Sequence, residues 1–132
     1  MRDDRENLIV NLTFEFAKAI INYTGKLDLL KKFSLSNQLF RSGTSIGANV
    51  REAQNAESKN DFIHKMKIAS KEADETEYWL LLCKSGDDFP ECDDLIIRLK
   101  SIIKILSKII STAKSSSNFQ IFKFSNQQDG TL

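Results

Sequence analysis

Apolar residues recur at helical spacing in four stretches of the chain. In the first, Ile9, Leu12, Phe16, Ile20, Tyr23, Leu27 and Leu30 step by three or four residues, which predicts a helix over about residues 4–30. Leu39, Ser42, Ile46, Asn49, Ala53 and Ala56 step in the same way and predict a second over 35–57. The third stretch, 59–84, is heptad-like, with Phe62, Met66, Ala69, Ala73, Thr76, Leu80 and Cys83 on one seam. In the fourth, 91–114, the stripe is Leu95, Leu99, Ile102, Leu106, Ile109 and Ala113, widened by Ile96, Ile103 and Ile110. Four amphipathic helices with short connections predict an all-α, antiparallel up-and-down four-helix bundle over residues 1–115. Punctuation supports the divisions. Ser34 or Ser36 suits a cap for the second helix, and Ser58 with Asp61 reads as a capping box for the third. Gly86 suits a C-cap, the Asp87–Asp88 pair a new start, and Pro90 a first turn. Gly25 is expected to mark a bend or a close approach.

The second stripe is unusual because polar and small residues occupy it. Gly43 and Gly47, four apart, leave a groove that a neighbouring helix backbone can enter. A buried Ser or Asn needs a partner and so fixes where its neighbour sits. Arg41 and Arg51 flank these positions, and Glu72, Glu75 and Glu77 on the third helix are the available anions. Arg51 is expected to pair with one of these glutamates, and Asn49 to hydrogen-bond across the bundle. Arg41, Ser42, Ser45, Asn49, Arg51, Glu72 and Glu75 thus form a predicted polar cluster that specifies one packing arrangement.

Helices one and three each carry a second apolar face. Val10, Phe14 and Ile21 lie off the first core stripe, and Ile68, Trp79 and Leu82 lie off the third. Such faces read as a broad core or as a subunit interface, for which Phe14, Ile21, Ile68, Trp79 and Leu82 are the candidates. Trp79 is expected to meet helix one or a neighbouring subunit.

Charge and chemistry narrow the function classes. Lys+Arg 19 against Asp+Glu 18 gives a net charge of +1, so no global basic excess drives binding to nucleic acid or membrane. Lys100, Lys104 and Lys108 nevertheless recur every four residues, and with Arg98 they form a candidate phosphate-contacting ridge. His64 is the only histidine, and no Glu-x-x-His pair occurs, so no metal site, triad or cofactor site is expected. Cys83 and Cys92 flank a turn and are read as reduced thiols. The N-terminus leads straight into an amphipathic pattern, and no apolar run approaches a membrane span. The expected location is cytoplasmic, with no catalysis and no membrane partner.

The runs Arg41-Ser-Gly-Thr-Ser-Ile-Gly-Ala-Asn-Val-Arg-Glu-Ala53, Ser58-Lys-Asn-Asp-Phe-Ile63 and Lys71-Glu-Ala-Asp-Glu-Thr-Glu-Tyr-Trp-Leu80 closely resemble the bacterial four helix bundle protein family. It is also called the 23S rRNA intervening-sequence protein family, and the resemblance spans roughly residues 5–115. It implies an up-and-down bundle that assembles into a homopentamer. Some members are encoded inside insertions of 23S rRNA genes. A related branch, the accessory proteins of diversity-generating retroelements, binds nucleic acid and a reverse transcriptase. The expectation is a non-catalytic homo-oligomer, pentameric by resemblance, with a structural or scaffolding role. The alternative is a nucleic-acid-binding accessory protein acting with an RNA- or DNA-processing partner. Residues 116–132 lie outside the resemblance. There Phe119-Gln-Ile-Phe-Lys-Phe124 holds too many aromatics for a free tail, which suggests an arm that docks on its own bundle or on a neighbour.

Overall fold

Four helices account for most of residues 7–116, the part of the chain that the computed structural model describes. They are α1 (Leu8–Leu29), α2 (Phe33–Ala53), α3 (Lys59–Ser85) and α4 (Asp93–Ser115). The short connections force neighbours to run antiparallel, and the helices pack in a ring: α2 against α1 and α3, and α4 against α3 and α1. The α1–α4 seam is the most thinly packed of the four. This is the four-helix bundle that the periodicity predicts. The predicted start near residue 4 and the tail from residue 117 lie outside the described residues.

Local chemistry sets each boundary. The Asn7 side chain accepts from the Val10 N–H at 3.4 Å and opens α1. At the other end Lys31 adopts φ 61°, and Lys31 and Lys32 donate their N–H groups to Asp28 and Leu27 carbonyls, both at 2.9 Å. That left-handed closure reverses the chain by backbone bonds alone, with a lysine where glycine is usual. Neither Ser34 nor Ser36 is therefore needed as a cap, and α2 starts behind Lys32 with no side-chain cap. Ser36 instead donates to the Thr24 carbonyl at 3.2 Å and ties α2 to α1.

Ser58 caps α3 by accepting from the Asp61 N–H at 3.0 Å. Gly86 closes that helix, its N–H donating to Leu82 and Cys83 carbonyls. Contrary to expectation, Asp87 and Asp88 do not start α4. Glu91 does, its carboxylate accepting from the Asp93 N–H. Pro90 precedes the helix, and its carbonyl accepts from the Tyr23 hydroxyl at 2.7 Å. Gly25 is exposed, and a Cβ placed on it would meet nothing within 4 Å, so it marks no close approach.

The predicted stripes meet in the middle. Phe16, Ile20, Leu27, Leu39, Ile46, Phe62, Met66, Leu80, Leu99 and Leu106 are fully buried, each worth about 1.5–3 kcal/mol relative to exposure. Two departures are informative. On α2 the core position after Ile46 is Val50, because 3.6 residues per turn carries Asn49 to the rim. On α1, Val10 joins the core while Leu30 lies exposed beyond the helix end.

Candidate functional site

The α2–α3 seam is polar. Arg41 reaches Glu72 at 3.1 Å and also pairs with Glu75, whose carboxylate accepts from the Trp79 indole N–H at 2.9 Å. Beneath this rim the buried hydroxyls of Ser42 and Thr76 lie 2.9 Å apart, and Thr76 reaches the Glu72 carbonyl at 2.7 Å. With one proton on the Thr76 oxygen, donation to Glu72 leaves Ser42 to donate to Thr76. Further along, Lys65 pairs with Glu52 at 2.9 Å, and that carboxylate raises the Lys65 pKa. So Arg41, Ser42, Glu72 and Glu75 of the predicted cluster come together. Three members do not. Ser45 donates to the Arg41 carbonyl and Asn49 to the Ser45 carbonyl, both within α2. Arg51 is exposed on the α1 side, about 15 Å along the helix from Arg41, while Glu72 and Glu75 are taken by Arg41. The expectation that Asn49 bonds across the bundle is corrected accordingly.

The α1–α2 seam is built differently. A Cβ on Gly43 would lie 2.8 Å from two side-chain carbons of Ile20, and one on Gly47 would lie 3.1 Å from the Thr13 carbonyl oxygen. These glycines therefore let α1 come close, as their spacing predicts. Outside this contact runs a groove of about 520 Å³ between the helices. Its sides include Val10, Phe14, Ala17, Thr44, Gly47 and Ala48, and Glu15 and Arg51 stand on its edges. Phe14 is 56% exposed and Ile21 48%. The other candidate interface residues lie on α3, where Leu82 is exposed and Ile68 and Trp79 are half-buried. Trp79 sits on the α2 edge of α3, held by Glu75 and edge-on to Tyr78 at 5.3 Å.

The predicted basic ridge divides. Arg98, 200° around the helix from Lys100, faces the α1–α4 side beside Asp94 and Glu91. Lys100 and Lys104 lie beside Asp74 and Glu77 of α3, and Lys108 is exposed. At the far end of the same seam the Lys67 and Lys114 ammonium groups meet, and Lys67 lowers the Lys114 pKa. Lys59 donates to the last carbonyls of α4, those of Lys114 and Ser116. Acids thus match bases in the upper part of the α3–α4 seam, whereas its lower end gathers Lys59, Lys67 and Lys114.

At the opposite end of the bundle, Tyr23, Cys83 and Cys92 are buried together, with the phenol donating to the Pro90 carbonyl and the Cys92 thiol to that of Leu80. Both cysteines are free. Burial raises the pKa of all three groups, with the neighbouring thiols adding to the effect on Tyr23. Raised, buried thiols are poor nucleophiles, so this group is a packed cluster and no reactive centre. His64 is exposed. Among the described residues no group of three or more His, Cys, Asp or Glu could hold a metal ion, and no helix is long and apolar enough to cross a membrane.

The family described as 23S rRNA-intervening sequence protein matches residues 5–112. The chain belongs to that family. Among solved structures, it is similar to the crystal structure of a protein of unknown function from the S23 ribosomal protein family of Bacteroides thetaiotaomicron VPI-5482. The two are 43% identical, with a TM-score of 0.74, over 77% of this chain and 97% of that one. No functionally curated protein matches. The family match takes in the Tyr23 cluster and all four helices except the end of α4, where Lys114 stands, and it ends before the aromatic tail.

Sequence reasoning missed Thr76 as the partner of Ser42, the Glu52–Lys65 pair, and Gln54, which accepts from the Asn7 amide at 3.0 Å in a buried pair. A hydroxyl at a heptad core position was the signal available for Thr76. For Asn7 and Gln54 the signal was weak, since both stand at helix ends where polar residues are ordinary.

Proposed function

We propose that the protein is a non-catalytic, cytoplasmic, homo-oligomeric helical bundle with a structural or scaffolding role, a pentamer by likeness to its family. The observation that carries this reading is the pair Phe14 and Ile21. They stand seven residues apart on one face of α1, each is about half exposed, and Phe14 lines an apolar groove. Water is a poor environment for such a face, and a second copy of the chain is a partner always present. The test is the mass of the purified chain in solution by light scattering. Five copies of the 15.0 kDa chain give 75 kDa. Ile21→Lys in the full chain reduces that mass if the face is an interface, and a monomeric unaltered chain overturns the reading.

A second reading, nucleic-acid binding alongside an RNA- or DNA-processing partner, is favoured by the lysines at the lower end of the α3–α4 seam. Lys67 and Lys114 repel one another there, and a phosphate between them relieves that repulsion. Repetition of the patch around an oligomer multiplies a weak contact. Binding to structured RNA that weakens steeply with salt and with Lys67→Ala/Lys114→Ala supports this reading. No binding at low salt removes it.

A further inference from the structure

We propose that the α1–α2 groove receives the aromatic segment Phe119–Phe124 of a neighbouring copy, which rests on the self-association reading and names the part of the partner that enters. The groove is lined by Val10, Phe14, Ala17, Gly47 and Ala48, and its small residues let flat apolar side chains come close to helix backbone. Its volume, about 520 Å³, falls in the range of sites that take a small apolar ligand or a few side chains. The matching apolar material in the chain is compact. Phe119, Ile121, Phe122 and Phe124 fall within six residues, directly after a polar stretch of Ser115, Ser116, Ser117 and Asn118.

Geometry selects a neighbour over the chain's own groove. The groove lies near the start of α1 and the end of α2, which is the same end of the bundle as the last turn of α4. Lys59, however, holds the Lys114 and Ser116 carbonyls against the start of α3. α3 is diagonal to α1 in the ring, so Ser116 sits on the flank away from the groove. The three Cα–Cα steps from Ser116 to Phe119 span at most about 11 Å. That falls short of the two interhelix spacings, about 8–10 Å each, that separate α3 from the outer edge of α1. Phe119 therefore cannot reach the chain's own groove, and a segment that enters with Phe119 first belongs to a neighbouring copy. A contact in which one surface gives and a different surface receives is heterologous, and repeated by rotation it closes a ring.

The test uses full-length chains. Ala48 is exposed in the groove. Chains carrying Ala48→Cys are mixed with chains carrying Phe122→Cys under mild oxidation and run on a denaturing gel, with Asp28→Cys at the opposite end of the bundle as control. The expected result is a disulfide-linked dimer, at least tenfold more abundant than with the control. A second full-length variant, Phe119→Ser/Phe122→Ser/Phe124→Ser, is expected to lower the solution mass. The outcomes separate the two readings. If the unaltered chain is oligomeric but the mixture gives no excess dimer and the triple variant keeps its mass, the groove has another occupant and this inference fails alone. If the double Ala48→Cys/Phe122→Cys chain cross-links only within itself, the segment folds back and the exchange between copies is wrong. A monomeric unaltered chain overturns both readings.

Discussion

Toward α1, the middle of α2 presents Gly43 and Gly47, whose missing side chains admit Ile20 and the Thr13 backbone. Toward α3, the same turns present Arg41 and Ser42, each answered by a polar group on the facing helix. One side is specified by shape and the other by pairing. Their rims differ in the same sense: ion pairs cover the α3 side, while Phe14 and Ala48 leave the α1 side apolar and open. A bundle needs only one such arrangement per neighbour. An apolar rim left beside a tight steric contact is consistent with a further surface landing there, and charged pairs at the other rim discourage it.

The comparison can be broken hardest at its steric side. Gly43→Val puts carbon where Ile20 already stands, and the expected loss is about 3 kcal/mol, seen as a melting temperature lower by 10 °C or more. Unchanged melting would mean that Ile20 can swing aside and that shape does not specify this seam. On the pairing side, Thr76→Val leaves the buried Ser42 hydroxyl without its partner and is expected to cost about 1–3 kcal/mol in urea denaturation. Ser42→Ala in the same chain should recover much of that loss, and a strictly additive cycle would show that the two hydroxyls are not coupled.

A third test concerns the buried cluster at the end of the bundle. Tyr23, Cys83 and Cys92 have pKa values raised by burial, so the folded state keeps protons that the unfolded chain gives up. Their contribution is whole below the unfolded thiol pKa, about 8.5, and is lost as pH climbs through the higher folded values. Melting temperature should be level from pH 7 to 8 and fall above pH 9. Cys83→Ala/Cys92→Ala should flatten part of that fall. The smallest effect is expected at the exposed rim: Arg41→Ala should lower stability by about 0.2–1 kcal/mol, less in high salt. A loss above 2 kcal/mol would place Arg41 among the groups that hold the seam shut.

Most of the fold is legible in the sequence because the stripes of Phe16, Ile20 and Leu27, of Phe62, Met66 and Leu80, and of Leu99 and Leu106 are long and strictly helical in period. The glycine pair is legible for a similar reason, since only close approach explains two glycines four apart inside a helix. Partners are harder to read. Arg41 and Arg51 look alike in sequence, and only the rotation of α2 decides that Arg41 faces Glu72 and Glu75. Asn49 against Val50 is a choice of one residue at the edge of a stripe, where helical drift decides. Proline favours first turns and so points to an α4 that begins at Pro90, but its carbonyl is engaged by Tyr23, a residue distant in sequence. The lysine ridge on α4 is visible along one helix, while the acids Asp74 and Glu77 beside it belong to another.

The bond from Tyr23 to the Pro90 carbonyl spans the thinnest seam of the ring, between the first helix and the last. Joining those two helices closes the longest loop in the bundle, so this junction gains least from nearness along the chain. Transient opening should therefore begin with α4 swinging out while α1, α2 and α3 stay together. Native-state hydrogen exchange should find the α4 amides released at lower free energy than those of the glycine-packed middle of α2. The bundle would then behave as a three-helix body with a detachable fourth stave, and the Tyr23 hydroxyl as its latch.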